Sequence, residues 1–240
     1  MKIYEDETLE ELTKFNMKII QKKNGFRFSL DAVLISNFVK IDNKRKINLL
    51  DIGTGTGIIP LLLVNNENIN TITGVELQEN IASMSKRSVL INKLEDKIKI
   101  ENIDIKDYEV EKKFDMIVTN PPYMKVKNGK VSNNLIKAIS RHELKLDLNS
   151  LIESSNKVLK DGGSFNIIYR SKRFQELVNV ITKHNFHIKR LRFIHTKVDK
   201  NAELFMLEAI KNRKKNIAIE TPLNVYSENG KYSSEVESYY

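Results

Sequence analysis

The fold of this chain is decided by the stretch Leu49-Leu50-Asp51-Ile52-Gly53-Thr54-Gly55-Thr56-Gly57-Ile58-Ile59-Pro60. One apolar run leads into three glycines at alternate positions, and a second apolar run follows them. This pattern predicts a buried strand, a tight loop and a helix. Glycines allow the sharp turn, and they also let a ligand approach the main chain because no Cβ stands in the way.

Short apolar runs and amphipathic stretches alternate on the carboxyl side of this loop. Strands separated by helices predict right-handed crossovers and an α/β fold, with a mostly parallel seven-stranded sheet and helices on both faces. The last two strands are joined by Lys197–Asn201 alone, so we expect them to end the sheet as an antiparallel hairpin. The expected strands are Ile47–Ile52, Thr71–Glu76, Ile98–Ile103, Phe114–Thr119, Ser164–Tyr169, Ile188–Thr196 and Ala202–Ile210, and the expected helices are Ile58–Asn65, Glu79–Lys93, Leu148–Leu159 and Arg173–His184.

The regions outside this alternation are the two ends and one long connection. Leu9, Leu12 and Phe15 have helical spacing, as do the apolar positions of Ala32–Val39. Lys125–Lys145 lacks clear periodicity and is long for a connection, which makes it a candidate functional loop. We expect one domain over residues 1–240: an extension over 1–45 that covers cofactor and substrate, a catalytic core over 46–210, and a polar tail over 211–240 without an assigned structure.

Composition and charge restrict the class of protein. The 240 residues are 40% hydrophobic and 30% charged, which is typical of a globular domain. Lys and Arg number 40 against 31 Asp and Glu, a formal net charge of +9. This excess suits a polyanionic partner, because cations that neutralise phosphates release counterions. A bias toward Lys, Asn and Ile produces the same excess without such a partner.

Several classes of site and location are excluded or disfavoured. The chain has no cysteine, so disulfides, thiolate metal ligands and cysteine nucleophiles are excluded. Its four histidines lack metal-ligand spacing, and no metal is expected. We find neither a signal peptide nor an apolar membrane span, so a cytoplasmic protein without a membrane partner is expected, with a monomer as the default.

Acidic residues follow the strands next to the glycine loop. Glu76 closes the next strand, 23 residues after Gly53, where a carboxylate can accept hydrogen bonds from ribose hydroxyls, although a solvated strand end has the same pattern. Asp104 could accept from the amino group of a cofactor adenine, or could be a simple turn residue. Asp51 would repel a pyrophosphate but suits the ammonium of a methionine moiety. Together with the G-x-G-x-G spacing, it favours S-adenosylmethionine over NAD.

The sequence Asn120-Pro121-Pro122-Tyr123 directly follows the fourth expected strand. Two adjacent prolines fix φ and remove two N–H donors, which leaves a rigid loop with exposed carbonyls. The Asn120 side-chain oxygen and the Pro121 carbonyl would hold both hydrogens of an aromatic amino group and stabilise the positive charge that grows as its nitrogen attacks a methyl group. Tyr123 would stack on the planar substrate. No general base is required before methyl transfer. The alternative to this catalytic role is that the four residues only form a tight turn after the strand.

These motifs resemble the class I amino-methyltransferases with an N-P-P-Y motif, a Rossmann-like group, over nearly the whole chain. Three stretches resemble the bacterial tRNA(Val) (adenine-37-N6)-methyltransferase family in particular: Asn24–Leu34, Asp51–Pro60 and Arg141-His142-Glu143. The ending, Gly230-Lys231-Tyr232 and Glu235-Val236, is also similar. The resemblance implies S-adenosylmethionine as cofactor and adenine N6 in tRNA as acceptor.

The resemblance also implies roles for individual residues. Phe28 and Asp31 would help to close over the cofactor, and Arg141 and His142 would contact RNA, although helix capping or ion pairing would account for the last two equally well. The expected catalytic residues are Asn120, Pro121, Pro122 and Tyr123. The expected cofactor-binding residues are Phe28, Asp31, Asp51, Gly53, Thr54, Gly55, Gly57, Glu76, Leu77, Asp104, Ile105 and Asn120, and the expected substrate-binding residues are Tyr123, Arg141 and His142.

Other functions remain open. A release-factor glutamine methyltransferase would use the same loop but normally carries a larger helical N-terminal domain. A DNA adenine methyltransferase would normally need a separate segment to read groove edges. We expect little room for one in this chain, which favours a substrate whose base is already unpaired, such as an RNA loop. Guanine N2 of rRNA, a non-catalytic RNA-binding relic of the fold and a disfavoured NAD-dependent dehydrogenase complete the alternatives. The basic segments Lys183–Arg192 and Lys211–Lys215 are most simply solvated faces, with an RNA surface as a hypothesis.

Overall fold

Nine strands form the central sheet of the computed structural model, which describes residues 2–12, 15–24, 27–42, 44–121 and 147–240. A separate hairpin consists of β1, Glu7–Leu12, and β2, Met17–Lys22. The strands of the central sheet are β3 Ile47–Ile52, β4 Ile69–Glu76, β5 Ile98–Asn102, β6 Phe114–Thr119, β7 Leu159–Arg170, β8 Phe186–His195, β9 Ala202–Lys211, β10 Ala218–Ile219 and β11 Leu223–Asn224. The helices are α1 Leu30–Phe38, α2 Ile58–Leu63, α3 Glu79–Ile91, α4 Leu148–Val158, α5 Phe174–Lys183 and α6 Ser234–Glu237.

The strand order places a switch in direction at β3. The order across the sheet is β10-β8-β9-β7-β6-β3-β4-β5, and β11 also pairs with β8. From β3 the chain moves outward through β4 and β5, then returns to the other side of β3 with β6. Ligands of open α/β sheets bind beyond the carboxyl ends of the strands at such a switch point. We therefore expect a ligand site at the edge formed by the carboxyl ends of β3, β4 and β6.

The seven predicted strands all form. β3 to β7 pair in parallel, while β9 lies antiparallel between β7 and β8, so the predicted closing hairpin is confirmed. Two additional two-residue strands, β10 and β11, come from the tail and pair with β8. The tail thus runs along the outer edge of the sheet and continues into α6.

Two apolar layers cover the two faces of the sheet, as the alternation of side chains along a strand requires. Leu49 and Val118 belong to the layer that packs under α1, α2 and α3. Leu50 and Ile117, their direct neighbours in sequence, belong to the layer under α4 and α5. Helices on both faces, predicted from the alternation of elements, are confirmed.

The helical spacing predicted for Leu9, Leu12 and Phe15 is wrong. The first two lie in β1, which pairs antiparallel with β2, and Asn16 at the turn has φ +50°. The hairpin is held by the distant helix α3: the Ile20 N–H donates to Ser88 Oγ at 2.9 Å. Contacts between residues this far apart in sequence override the local helical spacing of apolar residues, so the spacing predicts the wrong element.

The segments interpreted as solvated basic faces contain two buried cations. Arg190 is 5% exposed and donates to Glu208, Glu220 and the Phe38 carbonyl. Lys211 is also 5% exposed, and its Nζ donates to the carbonyls of Asn156 and Leu159, as a buried ammonium requires. The prediction of a solvated face is wrong for these two residues. No helix within the described ranges is long and apolar enough to cross a membrane.

Candidate active site

The glycine-rich loop is bonded to the end of β4. Backbone N–H groups of Gly53 and Thr54 both donate to the Val75 carbonyl, at 2.9 and 3.0 Å. The next glycine continues the pattern, because the Gly55 N–H donates to Glu76 Oε2 at 3.1 Å. The loop after β3 and the acidic end of β4 therefore form one rigid unit at the switch point.

Two positions of this loop require glycine for different structural reasons. Gly57 has φ +88°, and a Cβ there would lie 2.4 Å from Ser85 Oγ, so its lack of a side chain lets α2 begin close against α3. Gly53 has φ +73°, but a Cβ on it would meet nothing within 4 Å. The space next to Gly53 is open for a ligand to approach the backbone.

We expect Gly57→Ala to lower the free energy of unfolding by about 2 kcal/mol, because it adds left-handed strain to a steric overlap. In a chain of this size, that corresponds to a fall in Tm of about 4–8 °C. The matched variants are Ser85→Ala, near neutral because Ser85 Oγ has no hydrogen-bond partner among the described residues, and the double variant. The double variant should recover the steric part alone, and full recovery would contradict the strain at position 57.

Glu76 is held in a fixed orientation by backbone amides. Its side chain is 3% exposed, and Oε1 accepts from the Gln78 N–H at 2.9 Å while Oε2 accepts from Gly55. The Asn102 amide, at the end of β5, donates to the carbonyls of Glu76 and Leu77 at 2.9 and 3.1 Å. Asn102 was missed by the sequence analysis; an amide residue at the end of a neighbouring parallel strand was the available signal.

Asp51 is a buried carboxylate beneath the loop. It is 0% exposed, and neither of its carboxylate oxygens has a hydrogen-bond partner in the described part of the chain. Burial raises the pKa of Asp51 to about 7, the Thr54 hydroxyl opposes this rise, and the Glu76 charge adds to it. A buried acceptor without a donor is costly, so this site is suited to a cationic or hydrogen-bond-donating ligand group.

Further buried hydroxyls lie near the same loop. Thr56 Oγ1 and Ser85 Oγ also have no hydrogen-bond partner within the described residues, although these side chains are 1% and 0% exposed. Together with the fixed Glu76 carboxylate, they make the surroundings of the glycine-rich loop polar. These residues fit S-adenosylmethionine by their chemistry, while contact of Asp51 with its ammonium and of Glu76 with its ribose hydroxyls stays a prediction.

We expect the affinity for S-adenosylmethionine to fall as the pH drops below about 7, because the ammonium needs the ionised form of Asp51. The limiting slope is tenfold per pH unit, so affinity at pH 5.5 should be up to about 30-fold weaker than at pH 8. The free energy of unfolding depends on pH in the direction opposite to that of an ordinary salt-bridged carboxylate. Without ligand, the folded protein holds the Asp51 proton more tightly than the unfolded chain does, so its stability falls as the pH rises toward 7.

The measurement is a calorimetric titration of cofactor binding across this pH range. Asp51→Asn should bind weakly with no dependence on pH in this window. Asp104→Asn is the matched control, since it removes a carboxylate of the predicted cofactor site while it leaves Asp51 to titrate. A pH slope that persists in Asp51→Asn would contradict the assignment.

Asp104 serves as the cap of a short 3-10 turn, Ile105–Asp107. Its Oδ1 accepts from the Lys106 N–H at 3.0 Å, and its Oδ2 lies 3.4 Å from Lys106 Nζ. Ile105 is 4% exposed and packs into the layer under α4. The turn interpretation of Asp104 therefore holds, and contact of Asp104 or Ile105 with the cofactor stays a prediction.

Asn120 lies directly beside the glycine-rich loop. It follows Thr119, which pairs with Ile52 at the end of β3 and whose hydroxyl donates to the Ile52 carbonyl at 2.8 Å. Asn120 is half-buried and Pro121 is buried. Pro122, Tyr123, Arg141 and His142, like most of the candidate loop Lys125–Lys145, lie outside the described residues.

Phe28 and Asp31 lie at the start of α1, close to the N-terminal hairpin. The Phe28 N–H donates to Gln21 Oε1 at 2.8 Å, and its ring packs against the layer under α1 and α2. Closure of Phe28 and Asp31 over the cofactor stays a prediction. In the described ranges, no group of His, Asp or Glu side chains could hold a metal ion.

Solved structures share this fold. A predicted O-methyltransferase from Agrobacterium tumefaciens superimposes with a TM-score of 0.67 at 16% identity, over 87% of this chain and 94% of its own. A protein from Listeria monocytogenes described as a class I S-adenosylmethionine-dependent methyltransferase gives a TM-score of 0.62 at 15% identity, over 87% of this chain and 71% of its own. The fold is therefore that of the class I methyltransferases.

The family follows from the sequence. Residues 30–191 match the model of the methyltransferase small domain. A tRNA1(Val) (adenine(37)-N6)-methyltransferase of Phocaeicola vulgatus is 31% identical over 176 residues, 72% of each chain. The chain belongs to the methyltransferase small domain family.

Proposed function

We propose that this enzyme methylates the exocyclic N6 amino group of adenine in RNA, and that its target is adenine 37 of valine tRNA. The observation that carries the proposal is the place of Asn120: it follows β6 at the switch point, next to the glycine-rich loop and the unpartnered Asp51 carboxylate. The tRNA-methyltransferase name of the Phocaeicola vulgatus relative and the net charge of +9 support RNA as the substrate.

The chemical problem is the weak nucleophilicity of an amino group on an aromatic ring. S-adenosylmethionine, when bound, would supply an electrophilic methyl group, whose bond to the sulfonium sulfur breaks and leaves the neutral thioether S-adenosylhomocysteine. The Asn120 side-chain oxygen and the Pro121 carbonyl accept the two amino hydrogens and stabilise the positive charge that grows on the nitrogen as its lone pair forms the new N–C bond. The nitrogen then loses one proton to water, so no strong base has to stand beside it.

The remaining residues position the two reactants. Asp51, Glu76 and the backbone of Gly53 hold the cofactor at the end of β3, and the hydrogen bonds of Asn102 keep the end of β4 in place. Tyr123, by its place in the motif, stacks on the adenine, while Arg141 and His142 contact RNA. A near-attack geometry of this kind converts a bimolecular reaction into an effectively unimolecular one.

The test is methyl transfer from labelled S-adenosylmethionine to a valine tRNA transcript, followed by nucleoside analysis. The expected product is labelled N6-methyladenosine, and a transcript with guanine in place of adenine 37 is the matched control. Equal labelling of both transcripts would overturn the target nucleotide. Transfer to rRNA, DNA or a protein glutamine, with none to tRNA despite cofactor binding, would overturn the substrate.

A further inference from the structure

A cationic cleft opens at the carboxyl edge of the sheet, on the side of β6 away from the glycine-rich loop. Its volume is about 1030 Å³, and it lies between the ends of β7, β8 and β9 and the tail. None of its lining residues belongs to the proposed cofactor site. Its lining consists of Arg170, Lys172, Arg173, Thr196, Lys197, Lys200, Asn201, Ala202, Glu203 and Tyr226.

The charge of the cleft is strongly one-sided. Five cationic side chains line it against one carboxylate, that of Glu203. Lys172 and Lys197 are exposed, and neither makes an ion pair or a side-chain hydrogen bond with the part of the chain that the structure describes. Unpaired cations around a concave surface concentrate positive potential there, which attracts a polyanion.

Other cations of the cleft are oriented by the fold. The Arg173 guanidinium donates twice to Glu176, at 2.9 Å in both cases, and lies 4.9 Å from the centre of the Tyr169 ring. Lys200 lies 3.3 Å from Asp199, so its charge is partly compensated. Arg173 is therefore prepositioned, while Lys172 and Lys197 are the residues whose charge a ligand would neutralise.

One residue of the lining, Tyr226, is aromatic, and it belongs to a stack of three tyrosines. Tyr226 stacks on Tyr232 with ring centres 5.4 Å apart and planes at 13°, and Tyr232 stacks on Tyr240 at 5.8 Å and 5°. Tyr240 at the end of this stack is 51% exposed. Cations that track phosphates beside aromatic rings are the combination that binds single-stranded nucleic acid.

The register of the sheet sets the lateral separation between this cleft and β6, the strand that leads to Asn120. Thr119 of β6 pairs with Ile167 of β7, so Arg170 emerges one strand away from Asn120 and two residues further along. Since adjacent strands are about 4.8 Å apart, the cleft extends from one to three strand spacings, about 5–14 Å, from β6. With a rise of about 3.4 Å per nucleotide in a stacked strand, this is the span of two to four nucleotides.

We propose that this cleft binds the sugar–phosphate backbone of the RNA next to the target nucleotide, with Lys172 and Lys197 as phosphate contacts. The proposal rests on the proposed function, since it takes the acceptor to be RNA that enters beside Asn120. An acidic polypeptide is the other class of partner with matching charge. The short distance to the acceptor site favours RNA, because the nucleotides adjacent to a base held at Asn120 lie within reach of this edge.

The test compares two double charge reversals that change the net charge equally. Lys172→Glu/Lys197→Glu alters the cleft. Lys183→Glu/Lys214→Glu is the matched control, because these exposed lysines lie at the opposite edge of the sheet, Lys183 as the last residue of α5 and Lys214 just after β9. Both belong to the basic segments for which the sequence raises an RNA surface as a hypothesis. The measurements are the Kd for unmodified valine tRNA as a function of salt, KM and kcat for methyl transfer, and binding of S-adenosylmethionine alone.

For the cleft variant we expect the Kd and the KM for tRNA to rise at least about 10-fold, and the slope of log affinity against log salt to fall by about 1.5. Its kcat at saturating tRNA and its cofactor affinity should stay within about twofold of wild type, as should all values of the control. Lys172→Gln/Lys197→Gln should give an intermediate loss.

Equal losses in both double variants would overturn the proposal in favour of non-specific attraction by net charge. Wild-type RNA binding in the cleft variant would also overturn it and leave an acidic polypeptide as the candidate partner. Both outcomes leave methylation of tRNA by the wild-type enzyme intact. A wild-type enzyme that binds cofactor but neither binds nor methylates tRNA would instead overturn the proposed function, and the cleft proposal with it.

Discussion

Asn120→Ala is expected to lower kcat for methyl transfer by about 100- to 1000-fold. This is the effect of removing one preorganised hydrogen-bonding group that acts on the charge that develops in the transition state. Affinity for S-adenosylmethionine should change by less than about threefold, because Asp51 and Glu76 hold their positions through the loop and β4. Single-turnover kinetics at saturating cofactor and RNA measure the chemical step without product release.

Asn120→Asp is the informative companion to this variant. It keeps an acceptor oxygen of nearly the same shape at the end of β6 but adds a negative charge, so we expect partial activity. Thr119→Val is a control for the backbone at this point, since it removes the hydroxyl donor to the Ile52 carbonyl without touching the acceptor. Loss of cofactor binding and of transfer together in Asn120→Ala would mean that the residue supports the loop instead of the substrate.

The core of the candidate site could be predicted because its determinants are local. An apolar strand, a loop of alternate glycines and an apolar helix are adjacent in sequence, and the structure places them as expected. Parallel strands then bring their carboxyl ends to one edge, so Asp51, Glu76 and Asn120 had to approach one another. The support by Asn102 is harder to predict: its place at the end of a neighbouring strand is the available signal, but the contact joins side chain and backbone atoms across separate strands.

The structure of the two ends of the chain could not be predicted, because it depends on partners that are distant in sequence. The β1–β2 hairpin depends on α3. Arg87 of α3 donates two hydrogen bonds to the carboxylate of Glu7 in β1, each 2.7 Å long. The tail forms β10 and β11 only because β8 offers an open edge; the Glu220 N–H donates to the Leu191 carbonyl at 2.8 Å. Partners this remote leave no period in the local sequence, so a helix was predicted for the first end and nothing for the second.

The same non-local packing explains why the sequence predicts a surface position for Arg190 and the structure shows a buried one. Its Nε donates to Glu208 Oε2 at 2.7 Å, its Nη1 to Glu220 at 3.0 Å and its Nη2 to the Phe38 carbonyl at 2.7 Å. The guanidinium also lies 3.9 Å from the centre of the Phe38 ring. One side chain thus joins β8 to β9, to the end of α1 and to the start of the tail.

Arg190→Met is expected to lower the free energy of unfolding by about 3 kcal/mol, because it leaves the Glu208 carboxylate, 2% exposed, with Lys189 as its remaining ion-pair partner. In a chain of this length that corresponds to a fall in Tm of about 6–12 °C, measured by calorimetry. Arg192→Met is the matched control two residues along the same strand: its partner Glu235 is 44% exposed, so we expect a loss of about 1 kcal/mol or less.

The double variant Arg190→Met/Glu208→Gln separates a buried charge from lost packing. If the unpaired carboxylate is the main cost, neutralising it should recover about half of the lost stability, because the interaction energy of the two substitutions is then large. No recovery would assign the cost to the contacts with Phe38 and Glu220. A smaller loss in Arg190→Met than in Arg192→Met would contradict the central place of Arg190 in holding α1 and the tail against the sheet.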